Sequence, residues 1–365
     1  MVETSAGRAE SGGDRPIAPR HLDDARPYYR TFVQPYDNFN RIEITLSHLF
    51  RNPNQLIGGQ TYGEALYKFF VTHQLLGGEI VEIGGGLGDV MRCILQADAG
   101  QMITRCRMID ISPQLREAQR EKLNEFAGVS ISFAEGDCES ISQSLSGSDN
   151  LVLCNGVIAD LTADRLDDTN SIGELVGKDI EIAEFAFRYS NSYPYWLPTG
   201  TLRFMKELRK SLSPDATAIL TEYESTADNQ PTWFDNHYEC GIDFGLLQAF
   251  ADQIGLKATL FDMSGIIGFD PMTPLLTMDI FTARHTMTFK VPRVADLARL
   301  PLPLPVAAYS KETLAEALKS HLEPQRVASL LQDLTDYFHP ISARGFDTKN
   351  PTTWTYKVLL LRRSV

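Results

Sequence analysis

Apolar residues recur at three-to-four spacing in "YDNFNRIEITLSHLFRN" and "TYGEALYKFFVTHQLL", which predicts helices between residues 36 and 76. The pattern then changes period. "GGEIVEIGG" is a short apolar run with strand character, and "LGDVMRCILQAD" returns to helical spacing. "TRCRMIDIS" predicts a second strand. Ser112-Pro113 is a helix start, with Pro in the first turn, leading into "PQLREAQREKLNEF". "VSISFAEGD" and "DNLVLCNGVIADL" predict strands three and four. "LRFMKELRKSLSPDATAILTEYES" contains a helix, a turn and strand five, and "DFGLLQAFADQIGL" a further helix. "KATLFDMSGII" predicts strand six, and "TYKVLLLRR" a last strand.

Alternating strands and helices predict an α/β fold: a Rossmann-like, mostly parallel sheet with helices on both faces. Two stretches break the rhythm, at about 160–200 and 270–350. Both are expected near the sheet edge, where they could build a substrate pocket. The organisation expected is a flexible tail over 1–25, a helical lid over 26–76, and a ligand-binding domain over 77–362.

Composition narrows the function more than the fold. The chain has 365 residues, 43% hydrophobic, with a formal net charge of −13. That balance points away from nucleic acid, which is bound chiefly through basic phosphate contacts. It favours small molecules or cationic partners. No apolar run approaches the roughly 20 residues of a membrane helix, and the polar N-terminus lacks the apolar centre of a secretory signal. A cytoplasmic location is expected, with a homodimer open. The five cysteines are dispersed, with no C-x-x-C pair, so no metal site and no disulfide framework is expected.

The chemistry concentrates after strand one. Glu82 precedes Gly84, Gly85, Gly86 and Gly88 in "VEIGGGLGD". A Gly-rich strand–helix turn lets a ligand approach the backbone amides at the helix start. The spacing G-x-G-x-G differs from the dinucleotide fingerprint. Acidic Glu82 and Asp89 beside it suit a ligand with a cationic end. Asp110 closes strand two, followed by Ile111, and can accept from ribose hydroxyls. Asp137 and Cys138 follow strand three, where they can meet an adenine. Asn155 and Gly156 end strand four.

This order of strand ends resembles the class I S-adenosylmethionine-dependent methyltransferases. The resemblance implies a seven-stranded sheet with an antiparallel C-terminal strand, S-adenosylmethionine as cofactor and S-adenosylhomocysteine as product. It places Glu82, Gly84, Gly86, Gly88, Asp110, Ile111, Asp137, Cys138 and Asn155 at the cofactor. A narrower resemblance is to the MidA-type family, which includes the mitochondrial complex I assembly protein-arginine methyltransferase. It is carried by Tyr62-Gly63-Glu64, by "EIGGGLGDVMRCIL", by "DISPQLREAQ", by "HYECGIDFGLLQAFADQIGL" and by "YKVLLL". The chain departs from that family at strand four, where "NGVIADL" replaces N-E-x-x-D-A-L-P. It departs again after strand five, where Glu222-Tyr223-Glu224 stands in place of D-Y-G.

Methyl transfer to a guanidino nitrogen needs carboxylates that orient the cation and accept a proton. Asp160, Glu222, Glu224 and Glu239 are candidates, with Glu64 and Tyr62 at the lid. His237 is a candidate base for an oxygen nucleophile. Tyr195 and Trp196, in "YSNSYPYWLP", could wall a cationic substrate. Three functions remain open: N-methylation of a guanidino group, free or in a protein; O- or C-methylation of a small metabolite; and a non-catalytic assembly protein of the same fold.

Overall fold

The structure is a computed structural model. It describes residues 19–31, 47, 50–145, 150–189, 193–224, 231–234, 237–270, 273–276, 310–335, 338–340 and 355–364. Most of the helix expected over 36–52 lies outside the described residues.

The central sheet contains β1 (Glu79–Ile83), β2 (Arg105–Asp110), β3 (Ser130–Glu135), β4 (Leu151–Asn155), β5 (Thr217–Glu224), β6 (Leu256–Asp262) and β7 (Thr355–Arg363). Their order is β6-β7-β5-β4-β1-β2-β3. All neighbours are parallel except β7, which runs antiparallel to both β5 and β6. The expected fold is therefore the observed one. The strand order switches sides at β1, with β2 and β3 on one side and β4 and β5 on the other, which opens a crevice above the carboxyl ends of these parallel strands.

Both faces of the sheet are covered, so its strands read as continuous apolar runs rather than alternating ones. In β4, Leu151 and Leu153 pack with Ile80 and Met108, against α2 (Tyr62–Thr72) and α3 (Asp89–Asp98). Val152 and Cys154 face the other way with Val81 and Ile109. That side is covered by α5 (Thr169–Val176), α6 (Ile180–Tyr189), α7 (Thr199–Ser211) and α8 (Phe244–Gln253). Between β2 and β3 runs α4 (Pro113–Leu123), started by Ser112, whose side chain accepts from Leu115 N. Helices α2 and α3 touch backbone to backbone at Gly63, where a Cβ would come within 2.6 Å of Val90 O.

Residues 19–25, expected as the end of a mobile tail, are built into the fold. His21–Leu22 pairs with Ala163–Leu166, which in turn pairs with Tyr195–Leu197. Helix α1 (Ala25–Arg30) follows at once. Leu22 and Ala25 are buried at 2% and 1% exposure, Leu22 packing among Ala163, Trp196, Tyr238 and Cys240. The stretch 160–200 thus forms a small second sheet with the N-terminal segment. Strand six was expected over 257–267; it stops at Asp262 and helix α9 (Met263–Ile267) follows, ended by Gly268 at φ 71°. Within 270–350, Pro274–Leu276 pairs with Phe338–Pro340, and α10 (Lys311–Leu318) packs on α11 (Pro324–Asp333). All five cysteines are free and buried. Among the described residues no helix is long and apolar enough to cross a membrane.

Candidate active site

The crevice above β1, β2 and β4 is a cleft of about 1090 Å³, solvent mouth included, and Glu82, Gly84–Leu87, Asp110, Asp137, Asn155 and Asp160 line it. The strand ends supply these groups because the parallel strands finish together. Gly84 has φ +67°, and a Cβ there would lie 2.5 Å from Val157 Cγ2. The loop therefore holds its backbone against the turn after β4, where no side chain fits. Gly86 and Ile111 line the cleft with it, whereas Gly88 serves as the N-cap of α3 at φ 80°.

Glu82 is 1% exposed. Among the described residues its Oε2 has no hydrogen-bond partner. Burial, then the charges of Asp110 and Asp89, pushes its carboxyl up to about 8. An orphaned carboxylate oxygen inside a cleft is costly, and a cationic donor is the group that relieves it. The α-ammonium of S-adenosylmethionine is such a donor, and the glycine loop beside it leaves backbone amides for the carboxylate end. Asp110 is held more firmly: Oδ1 accepts from Ser112 N at 2.9 Å and Oδ2 from Gln119 Nε2 at 2.9 Å. Burial raises its carboxyl to about 6, opposed by those two hydrogen bonds. Gln119 also donates to Gly86 O at 2.8 Å, tying the Asp110 carboxylate to the glycine loop.

Asp137 caps the turn after β3, its Oδ1 accepting from Glu139 N at 3.0 Å. Its Oδ2 lies 3.2 Å from Arg26 Nη1 and 3.2 Å from Arg30 Nη2, both on α1. Cys138 is buried next to it and lines the cleft. Asn155 Oδ1 accepts from Tyr62 at 2.6 Å and from Thr221 at 2.7 Å. Tyr62, expected in the substrate site, therefore positions Asn155; burial holds its phenol protonated.

Asp160 lines the inner end of the cleft, and behind it lies a buried acidic cluster. His237 is fully buried, with Nε2 at 3.0 Å from Asp160 Oδ1 and 3.9 Å from Glu239 Oε1. Glu239 accepts from the Tyr223 hydroxyl at 3.2 Å. Glu222 is 4% exposed and accepts from Ala159 N, under the turn that carries Asp160. Asp24 accepts from Tyr238 N at 3.0 Å, and burial raises its carboxyl. Tyr28 stacks on the His237 ring at 5.3 Å and Tyr29 tilts against it at 5.5 Å. Ligand-type atoms of Asp160, His237 and Glu239 lie within 4.8 Å of one another, a grouping that no sequence spacing announces.

Of the expected catalytic and substrate residues, Asp160 lines the cleft among the described residues, Tyr62, Glu222, His237 and Glu239 stand outside its lining, and Glu64, Glu224, Trp196 and Tyr195 are placed elsewhere. Glu64 closes a capping box with Thr61, accepting from Thr61 N at 2.6 Å, because a carboxylate at the third position of a helix reaches back to its cap. Glu224 pairs with Lys357 at 3.6 Å at the far end of β5. Trp196 is buried among Leu22, Ala163, Tyr238 and Cys240, as packing for the small sheet. Tyr195 packs against Tyr193 at 5.8 Å and lies outside the cleft. The sequence reading missed Asp24, Arg26, Tyr28 and Tyr29. The aromatic pair in "DDARPYYR" was the available signal.

The profile of a family described as "Putative S-adenosyl-L-methionine-dependent methyltransferase" matches residues 67–258, more than half of the chain. The chain belongs to this family. It is a class I S-adenosylmethionine-dependent methyltransferase of the MidA-like kind. Solved structures with similar folds include an uncharacterized ACR superfamily protein from Burkholderia thailandensis, 14% identical, covering 94% of this chain and 88% of that one, with a TM-score of 0.46. Another is the [4+2]-cyclase SpnF, 13% identical, covering 83% and 82%, with a TM-score of 0.42. No curated protein matches the methyltransferase's sequence.

Proposed function

We propose that this methyltransferase acts on a nitrogen of a guanidino group. The observation that carries the reading is the buried acidic cluster behind Asp160, at the inner end of the cleft, where Asp160 and Glu239 contact His237 and the charge of Asp24 lies close by. A guanidinium is planar, holds its proton at neutral pH and matches carboxylates in fork geometry.

In this reading Glu82 takes the cofactor's ammonium, the 84–88 loop its methionine end and Asp110 its ribose. Ile111, Asp137 and Cys138 border its adenine. The bound cofactor supplies a methyl group on a sulfonium. Asp160 and Glu239 orient the substrate nitrogen and lower the cost of removing its proton. As the N–CH₃ bond forms and the S–CH₃ bond breaks, the nitrogen's proton passes to one of these carboxylates, and S-adenosylhomocysteine leaves. Positioning in a water-poor recess provides much of the rate.

A second reading is favoured by one observation: the 3.0 Å contact of His237 with Asp160 is also that of a base with its orienting carboxylate. That pair would suit a hydroxyl nucleophile. Calorimetric titration with S-adenosylhomocysteine, repeated with excess L-arginine or with a phenol, separates them. Tighter cofactor binding with arginine, together with a labelled methyl group on its guanidino nitrogen, supports the first reading. Response to the phenol alone would replace it with the second.

A further inference from the structure

The segment 19–31 crosses both ends of the cleft and is fixed at each. At the cofactor end Arg26 and Arg30 reach Asp137, and Arg26 also makes two 2.5 Å contacts to Asp23, which hold its guanidinium in place. At the inner end Asp24 accepts from Tyr238 N, and Tyr28 and Tyr29 lie against His237. Between them Ala25, Arg26 and Tyr29 line the cleft itself. The groups beneath are deeply placed: His237 is 0% exposed, while Glu222 and Tyr223 are each 4% exposed.

A roof of this kind decides what reaches Asp160, which lines the same cleft as Ala25, Arg26 and Tyr29. A small free molecule can be enclosed beneath it, with its charged end against the carboxylates. An arginine within a folded protein brings its backbone and neighbours with it. To reach Asp160 they would displace α1, breaking the Arg26–Asp137 and Arg30–Asp137 contacts and uncovering Leu22 and Ala25. Tyr29 is the residue that touches both regions, since it lines the cofactor cleft and packs on His237. We propose that residues 19–31 restrict this site to small, free guanidino compounds, with Tyr29 as the residue that selects them. This inference rests on the guanidino reading given above.

The test compares the full-length enzyme on L-arginine, on agmatine and on a peptide with an internal arginine, using labelled S-adenosylmethionine. The expected result is kcat/KM for the best free compound at least about a hundredfold above the peptide. Tyr29→Ala is expected to raise KM for the free compound about tenfold, as loss of a large aromatic contact does. It should also narrow the ratio to the peptide, while Tyr29→Phe retains both. Peptide methylation as efficient as that of the free compounds overturns the inference and leaves guanidino methylation standing. Methylation of no guanidino compound in any form removes both. Unchanged selectivity in Tyr29→Ala, with S-adenosylhomocysteine still bound, removes the role of Tyr29. The comparison on the unsubstituted enzyme decides the matter even where the Ala variant does not fold.

Discussion

Arg26 places a guanidinium nitrogen 3.2 Å from Oδ2 of Asp137, across 111 residues of sequence. The pair joins the first described helix to the carboxylate proposed to meet the cofactor's adenine. A carboxylate offers about four acceptor sites, so Asp137 can hold both arginines and still meet an adenine amino group. Arg26→Ala and Asp137→Ala are each expected to weaken S-adenosylhomocysteine binding. The double variant should be weakened by less than the sum, with a coupling of about 1 kcal/mol for a half-buried ion pair. Full additivity in calorimetry would separate α1 from the cofactor.

Glu82 sets a pH dependence. Its carboxyl stands at about 8 in the folded protein against 4.5 in its ordinary state, because burial disfavours the charge. The folded state then binds more protons than the unfolded chain between those values. Stability without cofactor falls as pH rises through that window, by on the order of 4–5 kcal/mol in full. Cofactor binding has the opposite trend. A bound ammonium favours the ionised carboxylate, so binding at pH 7 expels about one proton and affinity climbs about tenfold from pH 6 to 7, levelling above 8. Calorimetry in two buffers of different ionisation enthalpy measures that proton. Glu82→Gln should remove it and lower affinity about tenfold or more; a buffer-independent heat in the unsubstituted protein would take Glu82 out of the cofactor site.

His237 and Asp160 are expected to govern turnover rather than cofactor affinity. Asp160→Asn or His237→Asn should lower kcat by about 10²–10⁴-fold. S-adenosylhomocysteine affinity should change by less than about threefold, since Glu82 and Asp110 retain their places. A kcat near that of the unsubstituted enzyme would move the reacting nitrogen away from this recess.

Gly63 tests the packing of the lid helix. A methyl group there meets Val90 O and Cys93 Cβ, each at 2.6 Å, and both belong to α3. Gly63→Ala should destabilise the protein by about 1–3 kcal/mol, because the backbones must separate. Denaturant unfolding reads this directly. A neutral result would show that α2 and α3 are not in backbone contact.

The sequence carried the sheet and the cleft-lining strand ends far better than the cluster at His237, and the reason is local. Glu82, Gly84 and Asp110 are fixed by strand–turn–helix units of a few residues, so their places in the cleft are written in adjacent positions. Asp160 and His237 are 77 residues apart, and nothing in either neighbourhood specifies the 3.0 Å contact. Glu64 misled because an acidic residue in a helix's first turn satisfies its own cap before it can serve a ligand. The composition of 19–25 is polar enough to read as tail, yet Leu22 packs with Ala163 and Trp196 and Ala25 is buried, which anchors the segment once the small sheet exists. That anchoring is a tertiary event with no periodicity to announce it.

Strand β7 comes last in the sheet's sequence order and lies between β5 and β6. During synthesis, β5 and β6 are therefore complete long before the strand that joins them leaves the ribosome. Through that interval each presents an unpaired edge, the kind of surface that recruits other chains. The nascent protein is consequently most prone to aggregation in the period just before residues 355–363 emerge, and dependence on chaperones should peak there.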